Sequence, residues 1–294
     1  MAAGHPTGAV QDGGGMKVSG FTFIRNAVKY DFPIIEVITS ALPIVDEFVV
    51  NVGKSEDRTL ELVRSIGSPK IKILETVWDD KLKVDGQIFG IQQDIALSHC
   101  TGDWALLLQA DEVIHEDDLP KIQQAMRDHL DRPQILGLVF RMRHCKGDYW
   151  SLDPWMYRKA TRIVRTTGNV RSTTDCCDFM ADGIPGMIKS GPHGALIDAQ
   201  IFHYGWVKNP KVLREKLQFQ ISRHDGERWS QAMIDEQALI RSEYPTYDIL
   251  KEFRGTHPKV MEARIKNAQR LRPRWNRWLN PRFYGEVLRH GFKG

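Results

Sequence analysis

Five consecutive apolar residues, Trp104-Ala105-Leu106-Leu107-Leu108, stop abruptly at Gln109-Ala110-Asp111-Glu112. An unbroken apolar run of this kind predicts a strand buried on both faces, the setting of the middle of a parallel sheet. Parallel neighbours need crossover connections, usually helices, so this one stretch asks for an α/β architecture. It also puts acids where the strand ends. In open α/β sheets the crevice beyond the carboxyl ends of the strands is where ligands bind. Two carboxylates there suit a hard divalent cation that bridges to substrate phosphates.

The preceding sequence supplies the crossovers. Lys17 to Ile24 reads as a strand, Phe32 to Leu42 as an amphipathic helix and Asp46 to Val52 as a second strand. Ser55 then offers an N-cap, with Glu56 and Asp57 in the first helical turn and Leu60, Leu62, Val63 and Ile66 as the buried stripe. Lys70 to Glu75 is a third strand and Gly86 to Ser98 a helix, after which Gly102-Asp103 turns into the opening run. This β-α-β-α-β-α-β succession predicts a mainly parallel, Rossmann-like sheet flanked by helices. Beyond Glu112, His115 to Leu130 reads as a helix whose Glu116, Asp117 and Asp118 answer the helix dipole rather than a metal. Ile135 to Arg143, Thr161 to Arg165 and Ala199 to Tyr204 are expected as strands, and from Pro210 onward the chain reads as mostly helical.

Three segments are expected along the 294 residues: a disordered tail over 1–15, a catalytic domain over 16–207, and a helical, basic extension over 208–294. With 41% hydrophobic and 27% charged residues the composition is that of a globular enzyme, and a net charge of +4 is too small to indicate nucleic acid. No apolar stretch approaches the roughly 20 residues that span a bilayer. Met1 to Gly15 is Gly-rich without an apolar core, so it does not read as a secretory signal. Cys100, Cys145, Cys176 and Cys177 show no C-x-x-C spacing, which argues against zinc and fits a reducing cytoplasm.

In this order, several segments resemble those of family 2 glycosyltransferases, which have the A-type nucleotide-sugar fold. Thr22-Phe23-Ile24-Arg25-Asn26 is similar to the family's opening segment. Gly53-Lys54-Ser55-Glu56-Asp57-Arg58-Thr59 resembles its turn after strand two, and Gly86 to Leu97 its helix before the metal-site strand, with Asp94 near the usual asparagine. Gln109-Ala110-Asp111-Glu112 stands where the metal-binding D-x-D belongs, and Phe202-His203-Tyr204-Gly205-Trp206 resembles a histidine segment that often completes the metal site. The resemblance covers roughly residues 16 to 207. It departs at Asn51 and Val52, where the family often has acids for the nucleotide, and at Gln109, which offers a carbonyl oxygen but no charge.

The resemblance implies a metal-dependent, inverting transferase moving a sugar from a nucleotide donor to a hydroxyl of a glycan or lipid-linked acceptor, as in cell-envelope polysaccharide assembly. A divalent cation, manganese or magnesium, would stabilise the leaving diphosphate as a Lewis acid. Asp111 and His203 are expected on the metal, with Thr22, Arg25, Asp57, Asp94, Gln109 and Asp111 at the donor. An acceptor hydroxyl needs a carboxylate to take its proton. Asp178 is the expected base, and Asp175 the alternative.

Plainer readings stand beside these. His203 can be a core histidine, Asp57 a helix-start acid, Asp175 and Asp178 loop caps, and Glu112 can face away from the site. Arg162 and Arg165 can hold phosphate or form the wet face of a strand, and Trp150 and Trp155 can stack on sugars or pack in the core. Two rival functions are a sugar-phosphate nucleotidyltransferase and a catalytically silent nucleotide-sugar-binding protein of the same fold. The arginines, tryptophans and aromatics from Arg270 to Tyr284 suit either a membrane surface with anionic headgroups or a helix packed on the domain. A cytoplasmic protein, peripheral at the inner face of the membrane in the first case, is the expectation.

Overall fold

Apolar runs between Val18 and Leu107 become four parallel strands. The computed structural model describes residues 15–167, 169–224, 249–271 and 276–291. All but Gly15 of the expected N-terminal tail, and the basic residues Arg272 and Arg274 with Trp275, lie outside the described residues.

Strands β1 (Val18–Ile24), β2 (Glu47–Gly53), β3 (Ile71–Thr76) and β4 (Trp104–Leu107) lie in the order β3-β2-β1-β4, every neighbouring pair parallel. Helices α1 (Ile34–Ala41), α2 (Thr59–Arg64) and α3 (Gln87–Ser98) make the crossovers. Phe21, Val49, Val50, Leu106 and Leu107 are fully buried, as the apolar run requires.

The stretch beginning at Trp104 divides in two. After β4, Gln109 to Asp111 form a turn, and β5 (Glu112–Ile114) leaves the path of β4. Helix α4 (Leu119–Leu130) follows, with Glu116 to Asp118 in the 3-10 turn that opens it. Asp118 accepts from Lys121 Nζ and from the Gln200 amide of β11 (Gly194–Trp206), and Glu116 accepts from the Lys259 amide.

The second half adds β6 (Gly137–Lys146), β7 (Ser151–Leu152), β8 (Lys159–Arg165), β9 (Val170–Ser172), β10 (Phe179–Ala181), β11 (Gly194–Trp206) and β12 (Lys251–Glu252). Strand β8 pairs antiparallel with both β4 and β6, so the parallel half continues into an antiparallel one. The long β11 runs parallel to β6 and antiparallel to β5, setting His203 opposite Glu112. Helices α5 (Pro210–Ile221), α6 (Glu262–Lys266) and α7 (Pro281–His290) complete the described part.

The result is a mixed α/β fold with a central sheet flanked by helices and a helical C-terminal part. Leu213, Lys216 and Leu217 of α5 are buried. In α7 only Phe283 is buried, edge-on to Trp155, while Tyr284 and Leu288, and Trp278 and Leu279 just before the helix, are exposed. Trp155 thus packs against the C-terminal helix. Among the described residues no helix is long and apolar enough to cross a membrane.

Candidate active site

A cavity of about 340 Å³ opens at the carboxyl edge of the parallel strands. Its walls are the end of β1 with Arg25, the turn Gln109-Ala110-Asp111, His203 on β11, the loop Asp175-Cys176-Cys177, and one face of α5 with Lys216. Phe23, Trp78 and Phe89 supply aromatic surface. Arg25, Gln109, Asp111, Asp175 and His203, all expected from sequence, therefore meet around one space.

Pairing of β5 with β11 fixes the acidic corner. The Tyr204 amide donates to the Asp111 carbonyl at 2.8 Å, bringing His203 Nε2 to 3.5 Å from Asp111 Oδ1. Lys216 Nζ reaches in from α5 and donates to Asp111 Oδ2 at 2.9 Å and to the Gly205 carbonyl at 3.1 Å. Gly205 is what permits this approach, since a Cβ there would lie 2.5 Å from Asp111 Oδ2 and 2.7 Å from the His203 ring. Burial opposes ionisation of Asp111, but the Lys216 ammonium beside it outweighs that and holds its carboxyl far below the usual range. Burial, reinforced by Lys216, lowers the Lys208 ammonium to about 7.

Across the cavity, Cys176 takes a left-handed backbone conformation with φ 58°. Its carbonyl thereby accepts from Gln109 Nε2 at 2.8 Å. Asp175 Oδ1 accepts from Thr173 Oγ1 at 2.9 Å and from the Cys177 amide at 3.3 Å. The loop lies directly on α3, where a Cβ at Gly90 would come within 2.6 Å of the Thr173 carbonyl. Asp94 ties the loop down by accepting from the Ser172 amide at 2.7 Å, and burial raises its carboxyl pKa.

The remaining expected residues do not line the cavity. Asp178 is fully buried, with its carboxylate taken by the Thr161 amide, the Phe179 amide and Lys189 Nζ. Asp57 accepts from the Lys29 and Thr59 amides and joins the turns after β1 and β2. Asp94 faces β9, and Thr22 is buried within β1. Ser55 does not cap α2 but receives the Asn26 amide. Glu112 points away from the cavity and forms a bidentate pair with Arg162, both contacts at 2.7 Å and both side chains fully buried. Arg162 is therefore neither a phosphate ligand nor a wet strand face. Arg165 binds the carbonyls of His129, Leu130 and Ile135.

Lys216, Trp78, Phe89 and Tyr157 were not expected at the site. A lysine near the buried Leu213 and Leu217 on one helix is the sequence signal that could have flagged Lys216. Nothing local in the sequence brings Trp78 to the end of β1.

The pair expected for a divalent cation, Asp111 and His203, is thus adjacent, but its surroundings do not fit one. The Lys216 ammonium sits on one oxygen of the single carboxylate, Gln109 brings no charge, and Glu112 is committed to Arg162. Among the described residues no group of three or more His, Cys, Asp or Glu side chains could hold a metal ion.

His144, His203 and His257 are held neutral, burial lowering their pKa values to about 4, 3 and 4. The unfolded chain takes up these protons below about pH 6.5 while the folded chain does not, so their contribution is complete above that pH and is lost on acidification. Melting curves should show Tm dropping between about pH 6.5 and pH 4. A flat Tm over that window would contradict neutral burial.

Comparison with known proteins gives these features a family. A TPR repeat-containing protein of Synechococcus elongatus is 26% identical over 166 residues, covering 55% of this chain and 36% of that protein. The chain thus spans about a third of the length of that curated relative. The crystal structure of Staphylococcus aureus TarS 1–349 is similar at a TM-score of 0.42 and 16% identity, covering 78% of this chain and 70% of that one. Glucosyl-3-phosphoglycerate synthase from Mycobacterium tuberculosis, crystallised with Mn2+ and uridine-diphosphate-glucose, aligns over 45% of this chain and 44% of its own at 19% identity and a TM-score of 0.32. The family model described as Glycosyl transferase family 2 matches residues 33–181, half of the chain, and the chain belongs to that family.

Proposed function

We propose that the chain transfers a sugar from a nucleoside-diphosphate donor to a hydroxyl of a glycan or lipid-linked acceptor, with inversion at the anomeric carbon. One observation carries this reading: the Gln109-Ala110-Asp111 corner and Asp175 line a single cavity at the carboxyl edge of the sheet. Arg25, Gln109 and Asp111 stand on the donor side, and the rings of Phe23, Trp78 and Phe89 offer faces for a nucleobase. Asp111 and Asp175 are the carboxylates in the described wall. Asp111 is bound to Lys216, which leaves Asp175 to take the acceptor's proton.

In this reaction the acceptor oxygen bonds to the anomeric carbon as the bond from that carbon to the β-phosphate oxygen breaks. The proton passes to Asp175, and the nucleoside diphosphate leaves with the electron pair.

Hydrolysis of a panel of nucleotide sugars tests the reading, because water can take the acceptor's place. At least one donor should release its nucleoside diphosphate. Formation of pyrophosphate from a nucleoside triphosphate and a sugar phosphate would instead show a nucleotidyltransferase. Donor binding with no turnover on any acceptor or water would indicate a silent binding protein.

A further inference from the structure

We propose that the Lys216 ammonium, in place of a divalent cation, holds the diphosphate of the donor and balances the charge that develops on it. This rests on the nucleotide-sugar reading above. It starts from the misfit at Asp111. A hard divalent cation seeks several oxygen ligands, and carboxylates are the strongest that a protein offers. Here the corner provides one carboxylate, and an ammonium already lies 2.9 Å from its Oδ2. A cation placed on that oxygen would be pressed against a like charge in a buried pocket.

Lys216 is built in rather than passing by. Asn209 caps α5 by accepting from the Lys211 amide, and Pro210 stands in its first turn, which fixes where the helix starts and hence where Lys216 points. The side chain is 7% exposed, crosses the Phe32 ring with Nζ 5.0 Å from its centroid, and is anchored on the Gly205 carbonyl. An ammonium has three donors. Asp111 and Gly205 take two, and the group lines the cavity, so a phosphate oxygen can accept from the third.

The local charge supports the same assignment. Lys208 Nζ lies 4.7 Å from the centroid of the same Phe32 ring that Lys216 crosses, so a second amine stands beside this corner. Asp111 then acts as a positioning residue that orients the ammonium, and Gly205 keeps the room for it. Lysine recognises phosphate as a compact point charge, and one held by packing loses little freedom when ligand arrives. As the glycosyl–phosphate bond breaks, the leaving oxygen gains negative charge beside a cation that has no need to move.

Calorimetry on the full chain with UDP, GDP, CDP, dTDP and ADP, in chelator and then with manganese, tests this. At least one diphosphate should bind in chelator, with manganese tightening it by less than about threefold. Lys216→Met should weaken that diphosphate by about thirtyfold or more, the loss of a charged hydrogen bond, while barely changing the matching monophosphate. Lys216→Arg should keep binding within about fivefold. Binding by the unaltered chain only when manganese is present would overturn this inference and leave the nucleotide-sugar reading standing. No binding of any diphosphate in either condition would overturn both. The chelator comparison needs no variant, so a Lys216→Met chain that fails to fold does not remove the test.

Discussion

Glu112→Gln should lower the stability of the chain by about 3–5 kcal/mol, because it leaves the Arg162 guanidinium buried without its counter-charge. The pair is fully enclosed, and the Glu112 carboxylate also holds the Gln109 amide at 3.1 Å. Arg162 in turn binds the Thr161 and Cys177 carbonyls at 2.9 and 3.1 Å. It therefore reaches both walls of the cavity from behind. Chemical denaturation of the variant measures the loss, and an unchanged midpoint would show that the pair is not buried as described. A double replacement, Glu112→Leu with Arg162→Leu, removes both charges and should recover much of the stability. Donor binding should stay impaired in it, because the Gln109 amide and the Cys177 carbonyl lose their supports.

The second large effect falls on chemistry. Asp175→Asn should slow donor hydrolysis by about 10²–10⁴-fold, the usual worth of a general base, while nucleoside diphosphate binding stays unchanged. An amide oxygen at the same place can still accept from Thr173 and the Cys177 amide, so the loop is kept. Asp178→Asn should behave oppositely. Its carboxylate binds two amides and Lys189 inside the core, so the expected loss is in stability. Full turnover by Asp175→Asn would remove it as the base.

The parallel half of the fold was legible because its signals are local. Apolar runs ending in turns set β1 to β4, and the strand-edge rule located the acidic corner before any contact was known. Beyond Glu112 the signals weaken. The antiparallel pairing of β8 between β4 and β6 depends on contacts between distant segments, and period alone did not reveal it. Site residues divide in the same way. Asp111 and His203 could be placed from sequence, since each sits in a recognisable segment. Asp178 could not be told from Asp175, because the difference is one of direction: Cys176 at positive φ turns the loop so that Asp175 faces the cavity and Asp178 the core. Glu112 reads from sequence as either a second metal acid or a residue facing away, and its side chain pairs with Arg162 of β8, behind the cavity. Lys216 was hidden because the sequence shows a basic helix after residue 207 and does not show that the helix folds back on the sheet.

The central claim is that a nucleoside diphosphate lies at the Asp111 corner, held by Lys216. A crystal structure of the chain saturated with its preferred nucleoside diphosphate, grown in chelator, tests it most directly. The account predicts a β-phosphate oxygen within hydrogen-bonding distance of Lys216 Nζ and the nucleobase against Trp78 or Phe89. A nucleotide bound elsewhere, or phosphates that leave Lys216 on Asp111 without touching it, would contradict the account.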